Sequence, residues 1–364
     1  MARWTGADLA EKRYDALDAL RGVAALGVVL YHARFASHLH GTAFAQGGYL
    51  FVDFFFVLSG FVMAHAYGDR LNRADALGPF AIRRFGRVWP LHAVMLGLFV
   101  ALEAAKSLHG HGGFAPPRDI PSILPNLLLI HGLGGRATLT WNYPSWSISV
   151  EFACYLVFAV ACLAFGPRRG LAAAGLSLAG GCVLLAFAPT MNVPGGLGVA
   201  RALFGFFAGV VVQRAGPAPL RGTIAELATA GGAVAFLVLA HDSRWSLAAP
   251  LVFAAVVAVF ANEAGRVSAL LKSPPLQFVG AISYSIYMTQ IFVLFRAYDL
   301  LEKRVAGNPW AADAALLASL AAIVAVSYGT FRLVEQPGRE LFGRMAGRRP
   351  PPAIPEAAPV MGGP

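Results

Sequence analysis

Residues 15–35 read DALDALRGVAALGVVLYHARF, an apolar run of membrane-spanning length with one charged end. Arg21 stands near its start and His32 near its end, so on a helix the two side chains lie about 16 Å apart along the axis. Ionisable groups inside a bilayer are costly, which makes a functional role the first hypothesis for both residues. The alternative is that His32 reaches the membrane interface and Arg21 only marks the other end of the span.

The composition places the rest of the chain in the membrane as well. Of the 364 residues, 57% are hydrophobic and only 13% are charged, which is far fewer charges than a soluble protein of this length carries. We predict an all-α, polytopic membrane protein with about ten transmembrane helices and no appended soluble domain. The predicted spans are roughly 16–36, 49–67, 88–106, 146–166, 170–188, 197–213, 222–240, 245–262, 278–300 and 311–334.

Basic residues predict the orientation of these spans. The chain has 29 Lys and Arg residues and a formal net charge of +10, and most of them fall in the alternate loops on the side of the N terminus. The positive-inside rule then places both termini in the cytoplasm. Because this charge is distributed over short loops, we expect no nucleic-acid partner.

The regions outside the spans also carry expectations. Residues 1–14 are predicted to be a cytoplasmic segment, and residues 338–364, rich in Pro, Ala and Gly, a disordered cytoplasmic tail. The apolar piece over 123–133 is too short to cross the bilayer and follows prolines, so we expect a re-entrant or interfacial segment. Ser59 and Gly60, inside the second span, favour a close approach between helices.

Two carboxylates fall in spans on the same side as His32. Glu151, in PSWSISVEFACYL, is expected at a depth similar to that of His32. An imidazole beside a carboxylate is a base that can take a proton from a hydroxyl. Asp53, in GYLFVDFFFVLSGF, either completes a polar cavity with His32 or lies at the interface. The alternative for Glu151 is a structural bond between helices, and Arg201 either neutralises a buried carboxylate or extends outward.

The loop RRFGRVWP, residues 83–90, is the strongest electrostatic feature of the sequence. Arginine suits the phosphates of a nucleotide-bearing cofactor because its planar fork donates two parallel hydrogen bonds. Ordinary positive-inside charge with binding of lipid headgroups is the alternative. The histidines and cysteines lack the spacing of metal ligands, so we expect no metal.

Six stretches, taken in order, resemble the acyltransferase 3 family of integral-membrane acyltransferases. They are LDALRGVAALGVVLYH, with its R-x10-H spacing, VDFFFVLSGFVM, RRFGRVWP, PSWSISVEFACYLVF, SYSIYMTQ and FRLVEQP. The resemblance implies one membrane domain over residues 15–337, in a bacterial inner membrane. It also implies transfer of an acyl group, usually acetyl, from acyl-CoA to a hydroxyl of a glycan, a lipid-linked sugar or a small molecule.

The resemblance also implies roles for individual residues. It implies that His32 is the catalytic histidine, that Glu151 supports it and that Glu335 matches the terminal E-x-P. It also implies that three arginines bind acyl-CoA: Arg21 of the first span, and Arg84 and Arg87 of RRFGRVWP. Asp53 is the alternative carboxylate for orienting His32.

The resemblance leaves some alternatives open. SYSIYMTQ ends in Gln290, where the family often has histidine. The sequence leaves direct transfer and an acyl-histidine both open. The rival classes of function are a transporter or flippase for a lipid-linked sugar or an anion, and a membrane scaffold or sensor; a transporter would show paired inverted repeats, which this sequence lacks.

Overall fold

The structure is a computed structural model that describes residues 13–135 and 139–347. Within those ranges it consists of helices and loops, without a strand. The α-helices are α1 (Asp15–His32), α2 (Ala43–Gln46), α3 (Phe51–Tyr67), α4 (Leu77–Leu108), α5 (Ile123–Leu127), α6 (Trp146–Phe165), α7 (Arg169–Phe187), α8 (Gly196–Ala215), α9 (Thr223–Ala240), α10 (Ala249–Phe260), α11 (Arg266–Leu271), α12 (Pro274–Ala281), α13 (Ser283–Val305), α14 (Pro309–Thr330) and α15 (Gln336–Met345). A π-helical turn, Phe331–Glu335, joins α14 to α15.

The prediction of an all-α, multi-pass membrane protein is confirmed. By length and composition, six segments of the described chain can cross a membrane, or seven if the bent pair α12–α13 is one span. One of the six, Tyr143–Phe187, contains both α6 and α7, which the sequence predicts as two spans. Helix α1 is not among the six because Asp15, Asp18 and Arg21 lie in its first two turns. The count of ten spans therefore stays a prediction.

The helices run alternately between two ends of a bundle. Helix α1 ends at His32 where α3 and α6 begin, and we call this the histidine end. Helices α1 and α4 begin at the opposite end, which we call the arginine end because Arg21, Arg84 and Arg87 line one cavity there. The two groups of candidate residues thus belong to opposite ends of the bundle.

Glycines bring the central helices α3 and α8 into backbone contact. A Cβ atom on Gly60 would overlap the carbonyl oxygen of Phe206, and one on Gly209 would overlap that of Val57. Small residues permit this approach between membrane helices, where van der Waals packing replaces the hydrophobic effect as the driving force. The close approach expected at Gly60 is confirmed, and it fixes α3 against α8 in the middle of the bundle.

The segment over 123–133 turns back within the bundle. The Trp89 indole donates to the carbonyl oxygen of Leu127 (2.9 Å), and Nε2 of His92 lies 2.9 Å from that of Asn126. His92 is about 24 Å below the last residue of α4 by helical rise. The chain then returns to the histidine end, where α6 begins. These contacts place the segment against the middle of α4, and its assignment as re-entrant or interfacial stays a prediction.

The predicted disordered tail begins instead with helix α15. The Phe342 side chain fills the space over Gly86 of α4 and contacts the Phe85 ring, with centroids 5.6 Å apart. Glu340 and Arg344, one turn apart on the exposed side, form an ion pair of 3.5 Å. An apolar face and a charged face are sufficient reason for residues 338–345 to be helical. The rest of the predicted tail, 348–364, lies outside the described residues.

The packing of α3 on α8 predicts a sharp difference between two glycine substitutions. Gly60→Ala forces a methyl group into the Phe206 carbonyl, so we expect the unfolding free energy to fall by about 1–3 kcal/mol. Gly97→Ala is the matched control because no atom lies within 4 Å of its added Cβ, and alanine favours the helix by about 1 kcal/mol. Thermal unfolding in detergent compares the two; equal melting temperatures would contradict the packing.

Candidate active site

His32 pairs with an amide and not with a carboxylate. Its Nδ1 lies 3.2 Å from Oε1 of Gln290. The Gln290 Nε2 group donates to the carbonyl oxygen of Tyr287 (3.1 Å), which fixes Oε1 toward the imidazole. Since Oε1 only accepts, Nδ1 carries the proton and Nε2 keeps its lone pair. His32 thus has the tautomer that a general base requires, and its partner is Gln290 where the sequence led us to expect Glu151 or Asp53.

Aromatic side chains surround the His32 ring at the histidine end. The centroids of Tyr31 and Tyr143 lie 5.1 Å and 5.2 Å from that of the imidazole. Tyr143 in turn lies 6.4 Å from the ring of Phe295, over which the Arg34 guanidinium sits at 4.3 Å. These four side chains are only partly buried or exposed. His32 is therefore approached from the histidine end along an aromatic path.

Asp53 is fully engaged by Arg201. The Arg201 Nε and Nη2 groups donate to the two carboxylate oxygens at 2.9 Å and 2.7 Å, and Nη2 also donates to the Tyr49 carbonyl at 2.9 Å. Both side chains are buried, with exposed fractions of 0% and 2%. The expectation that Arg201 neutralises a buried carboxylate is confirmed. With both oxygens taken, a catalytic role for Asp53 stays a prediction.

One cavity of about 140 Å³ joins four of the six predicted site residues. It opens at the arginine end and extends along the bundle. Its polar walls include Arg21, Arg84, Arg87, Ser147, Glu151 and Tyr287. The structure therefore brings Glu151 together with the arginines of the predicted cofactor side. It does not bring His32 or Asp53 into this cavity.

Glu151 is the carboxylate of the cavity wall that no cation neutralises in the described part of the chain. The Tyr155 hydroxyl, one turn further along α6, donates to its Oε1 at 2.7 Å. The Ser59 hydroxyl donates to Tyr155 in turn, at 3.2 Å. An unpaired carboxylate inside an apolar bundle is costly unless it faces water or a ligand. Its position on the cavity wall meets that requirement.

The three arginines of the cavity differ in their partners. Arg87 forms an ion pair with Glu335, whose other oxygen accepts from the Ser285 hydroxyl at 2.8 Å. Arg84 donates to the Tyr67 hydroxyl at 2.8 Å, and its buried Nε has no hydrogen-bond partner among the described residues. Within residues 13–135 and 139–347, the ion pair of Arg21 is a 3.3 Å contact with Asp18. Donor groups thus remain available to an anion at the cavity mouth.

A thin layer of side chains separates the cavity from His32. The Tyr287 hydroxyl lies 2.7 Å from that of Ser147 and donates to the Pro144 carbonyl at 3.0 Å. The Phe55 ring packs on Tyr287 with centroids 5.8 Å apart. Gln290 follows Tyr287 by one helical turn. Gln290, the hydrogen-bond partner of His32, therefore lies one helical turn beyond a residue of the cavity wall.

The serines around Glu151 divide between two tasks. Ser147 faces the cavity, whereas Ser145 and Ser149 hold the segment over 123–133. The Ser145 hydroxyl lies 3.0 Å from Nε2 of His131, and that of Ser149 donates to the Leu129 carbonyl at 2.6 Å. Sequence reasoning did not assign roles to Tyr287 and Gln290. The signal was in SYSIYMTQ, where the two residues stand one helical turn apart.

Comparison with known proteins identifies the class. A family model described as "Acyltransferase domain" matches residues 14–331, and the chain belongs to this acyltransferase 3 family. No solved structure matches it.

Curated relatives agree with this assignment. The chain is 35% identical to "Acyltransferase MdmB" of Streptomyces mycarofaciens over 40% of its own length and 38% of that protein. It is 35% identical to "Protein 2 in picA locus" of Rhizobium radiobacter over 48% of its length and 93% of that protein. It is 25% identical to "Peptidoglycan O-acetyltransferase OatA" of Listeria monocytogenes over 90% of its length and 56% of that protein. The chain therefore spans 38% of the length of MdmB and 56% of the length of OatA.

The buried pair of Asp53 and Arg201 predicts a loss of stability when one partner is removed. Asp53→Asn leaves the guanidinium without its counter-charge, so we expect unfolding to become easier by about 3–5 kcal/mol. The double variant Asp53→Leu with Arg201→Met removes both charges and should recover most of that loss. Thermal unfolding in detergent measures both. Unchanged melting of Asp53→Asn together with lost acyl transfer would instead support the catalytic role.

Proposed function

We propose that the protein is a membrane-embedded O-acyltransferase. It moves an acyl group, acetyl first, from acyl-CoA to a hydroxyl of a carbohydrate or a small molecule. One observation carries this proposal: an arginine-lined cavity extends from one end of the bundle to Tyr287, one helical turn from the Gln290 amide that holds Nδ1 of His32 and leaves its Nε2 free to accept a proton. Membership of the acyltransferase 3 family supports the reaction class.

The arginine end is the docking side for the donor. Arg21, Arg84 and Arg87 offer guanidinium groups to the CoA phosphates, for which bidentate hydrogen bonds are well suited. The cavity beyond them is narrow and mostly apolar, as the thin pantetheine arm requires. Arg21 and His32 are about 16 Å apart along α1, a distance that an extended arm can bridge. The positive-inside rule places this end in the cytoplasm, where acyl-CoA is made.

The acyl group is transferred where the thioester meets His32, on the side of the histidine end that faces the cavity. Nε2 of His32 takes the proton of the acceptor hydroxyl while the hydroxyl oxygen bonds to the thioester carbonyl carbon. The carbon–sulfur bond then breaks, the CoA thiolate leaves, and the imidazolium returns the proton to the sulfur. Glu151, on the cavity wall, stabilises positive charge that develops beside the thioester. In the alternative route, Nε2 itself bonds to the thioester carbonyl carbon and the CoA thiolate leaves. The acceptor hydroxyl then attacks this acyl-histidine in a second step.

The acceptor enters from the histidine end. Partly exposed rings of Tyr31, Tyr143 and Phe295 lead from that surface to His32, and aromatic faces are good surfaces for a sugar ring. The relative named as a peptidoglycan O-acetyltransferase supports a glycan acceptor. With both termini cytoplasmic, acylation takes place toward the outer face of the bacterial inner membrane.

One test of the proposed reaction concerns His32 itself. His32→Ala removes the base, so we expect transfer of labelled acetyl from acetyl-CoA to fall to background in sealed membrane vesicles. His109→Ala is the matched control, because His109 is an exposed histidine at the same end of the bundle and outside the site. The label is measured in the non-protein fraction. Wild-type-like transfer by a folded His32→Ala protein would overturn the mechanism.

A second test concerns the positioning of His32. Gln290→Leu removes the acceptor for Nδ1–H and frees the imidazole to rotate, so we expect kcat to fall about 10- to 100-fold. KM for acetyl-CoA should stay unchanged because Gln290 does not line the cavity. Gln290→His keeps a hydrogen-bonding ring at this position and should restore most of the rate. Equal losses in kcat for the two variants would indicate that position 290 acts through packing alone.

A further inference from the structure

Helix α15 brings a fourth guanidinium to the arginine end. Nη1 of Arg339 lies 3.9 Å from Oε1 of Glu335, the same carboxylate oxygen that Arg87 contacts. The π-helical turn Phe331–Glu335 directs this carboxylate toward α4, so that it is only 1% exposed. Arg339, by contrast, is 44% exposed. One buried carboxylate therefore holds a partly buried arginine on one side and a more exposed one on the other.

The charges around Arg339 do not balance. Arg87, Arg84 and Arg21 all act on the Arg339 guanidinium by electrostatic repulsion, and Glu335 opposes them. Asp18 engages Arg21 at the long distance of 3.3 Å. Like charges gathered at the edge of an apolar bundle are unfavourable unless an anion joins them. The arrangement is therefore one that a phosphate group would complete.

The position of α15 is built into the fold. Phe342 occupies the space above Gly86, and the Pro90 ring packs on Gly338. Both contacts are to α4, the helix that carries Arg84 and Arg87. Arg339 is thus held at a fixed place beside them, although it lies beyond residue 331, where the match to the family model ends.

We propose that Arg339 binds the 3′-phosphate of CoA. This inference rests on the proposed acyl-CoA donor and extends its binding site to α15. Arg84 and Arg87 line the cavity, so they meet the pyrophosphate next to the pantetheine arm. Arg339 is the more exposed guanidinium and does not line the cavity. It therefore meets the phosphate that is furthest from the thioester, which in CoA is the 3′-phosphate of the ribose.

Dephospho-CoA, which lacks this phosphate, provides the test. Affinities of purified wild-type protein in detergent for CoA and dephospho-CoA are measured by titration calorimetry. We expect wild type to bind CoA about tenfold more tightly, as one charge-assisted contact at a partly exposed site allows. In Arg339→Gln the ratio should fall to about one, because CoA binding weakens while dephospho-CoA binding does not. Arg339→Lys keeps the charge without the fork and should give an intermediate ratio.

Arg344→Gln is the matched control. Arg344 lies on the same helix, is more exposed than Arg339 and pairs with Glu340 on the side away from the cavity residues named above, so the wild-type ratio should persist. A folded Arg339→Gln protein that keeps the ratio would overturn the inference while leaving the donor site intact. A wild-type protein that binds neither compound would instead contradict the proposed acyl-CoA donor itself. Melting temperatures of all variants separate lost binding from lost folding.

A lipid phosphate is the competing source of the same chemistry. The same variants are compared in nanodiscs of neutral lipid with and without phosphatidylglycerol. We expect the ratio of CoA to dephospho-CoA affinity to change with Arg339 in both. If Arg339→Gln abolishes stabilisation by phosphatidylglycerol and leaves the CoA ratio unchanged, the site belongs to a headgroup and the inference is wrong.

Discussion

The structure depends on one constraint: an ionisable side chain inside an apolar helical bundle must be paired or must face a cavity. Asp53 and Arg201 satisfy it by pairing completely, with no exposed carboxylate oxygen left. Glu151 satisfies it by facing the cavity, where it accepts a hydrogen bond from the Tyr155 hydroxyl. The two carboxylates therefore differ in their surroundings: Asp53 is neutralised within the bundle, whereas Glu151 faces the cavity. The paired one stabilises the bundle, and the one on the cavity wall faces the open space of the cavity.

The neutral partner of His32 follows from the same constraint. A carboxylate hydrogen-bonded to Nδ1 would add a negative charge at the inner boundary of the histidine end, and that charge would need its own counter-ion. The Gln290 amide fixes the tautomer without adding a charge, since its Nε2 group is satisfied by the Tyr287 carbonyl. The cost is that a neutral amide stabilises the imidazolium less than a carboxylate does.

Sequence patterns predicted the helical membrane fold and the close packing at Gly60 because each depends on local composition. The partners of the charged residues could not be predicted in the same way. Whether Asp53 meets His32 or Arg201 depends on how α3 rotates against α8, and glycine contacts between the two helices decide that rotation. Helix α15 was missed because its apolar face is short and follows a proline. Its order comes from packing on Gly86 and Pro90, which no local pattern reveals.

The Tyr287 layer divides the molecule into two sides with different access. A cavity lined by guanidiniums approaches it from one end, and an aromatic path approaches it from the other. An enzyme that takes its acyl donor from one side of a membrane and its acceptor from the other must keep the two compartments separate while their substrates react. In the proposed reaction Tyr287 and Phe55, whose rings pack on each other at the cavity wall, are the side chains that separate the thioester from the hydroxyl. Water and ions, in contrast, would have to pass the Ser147 and Pro144 contacts that hold the Tyr287 hydroxyl. In the proposed reaction His32, held by Gln290 one helical turn from Tyr287, is the base that serves both sides without a continuous channel.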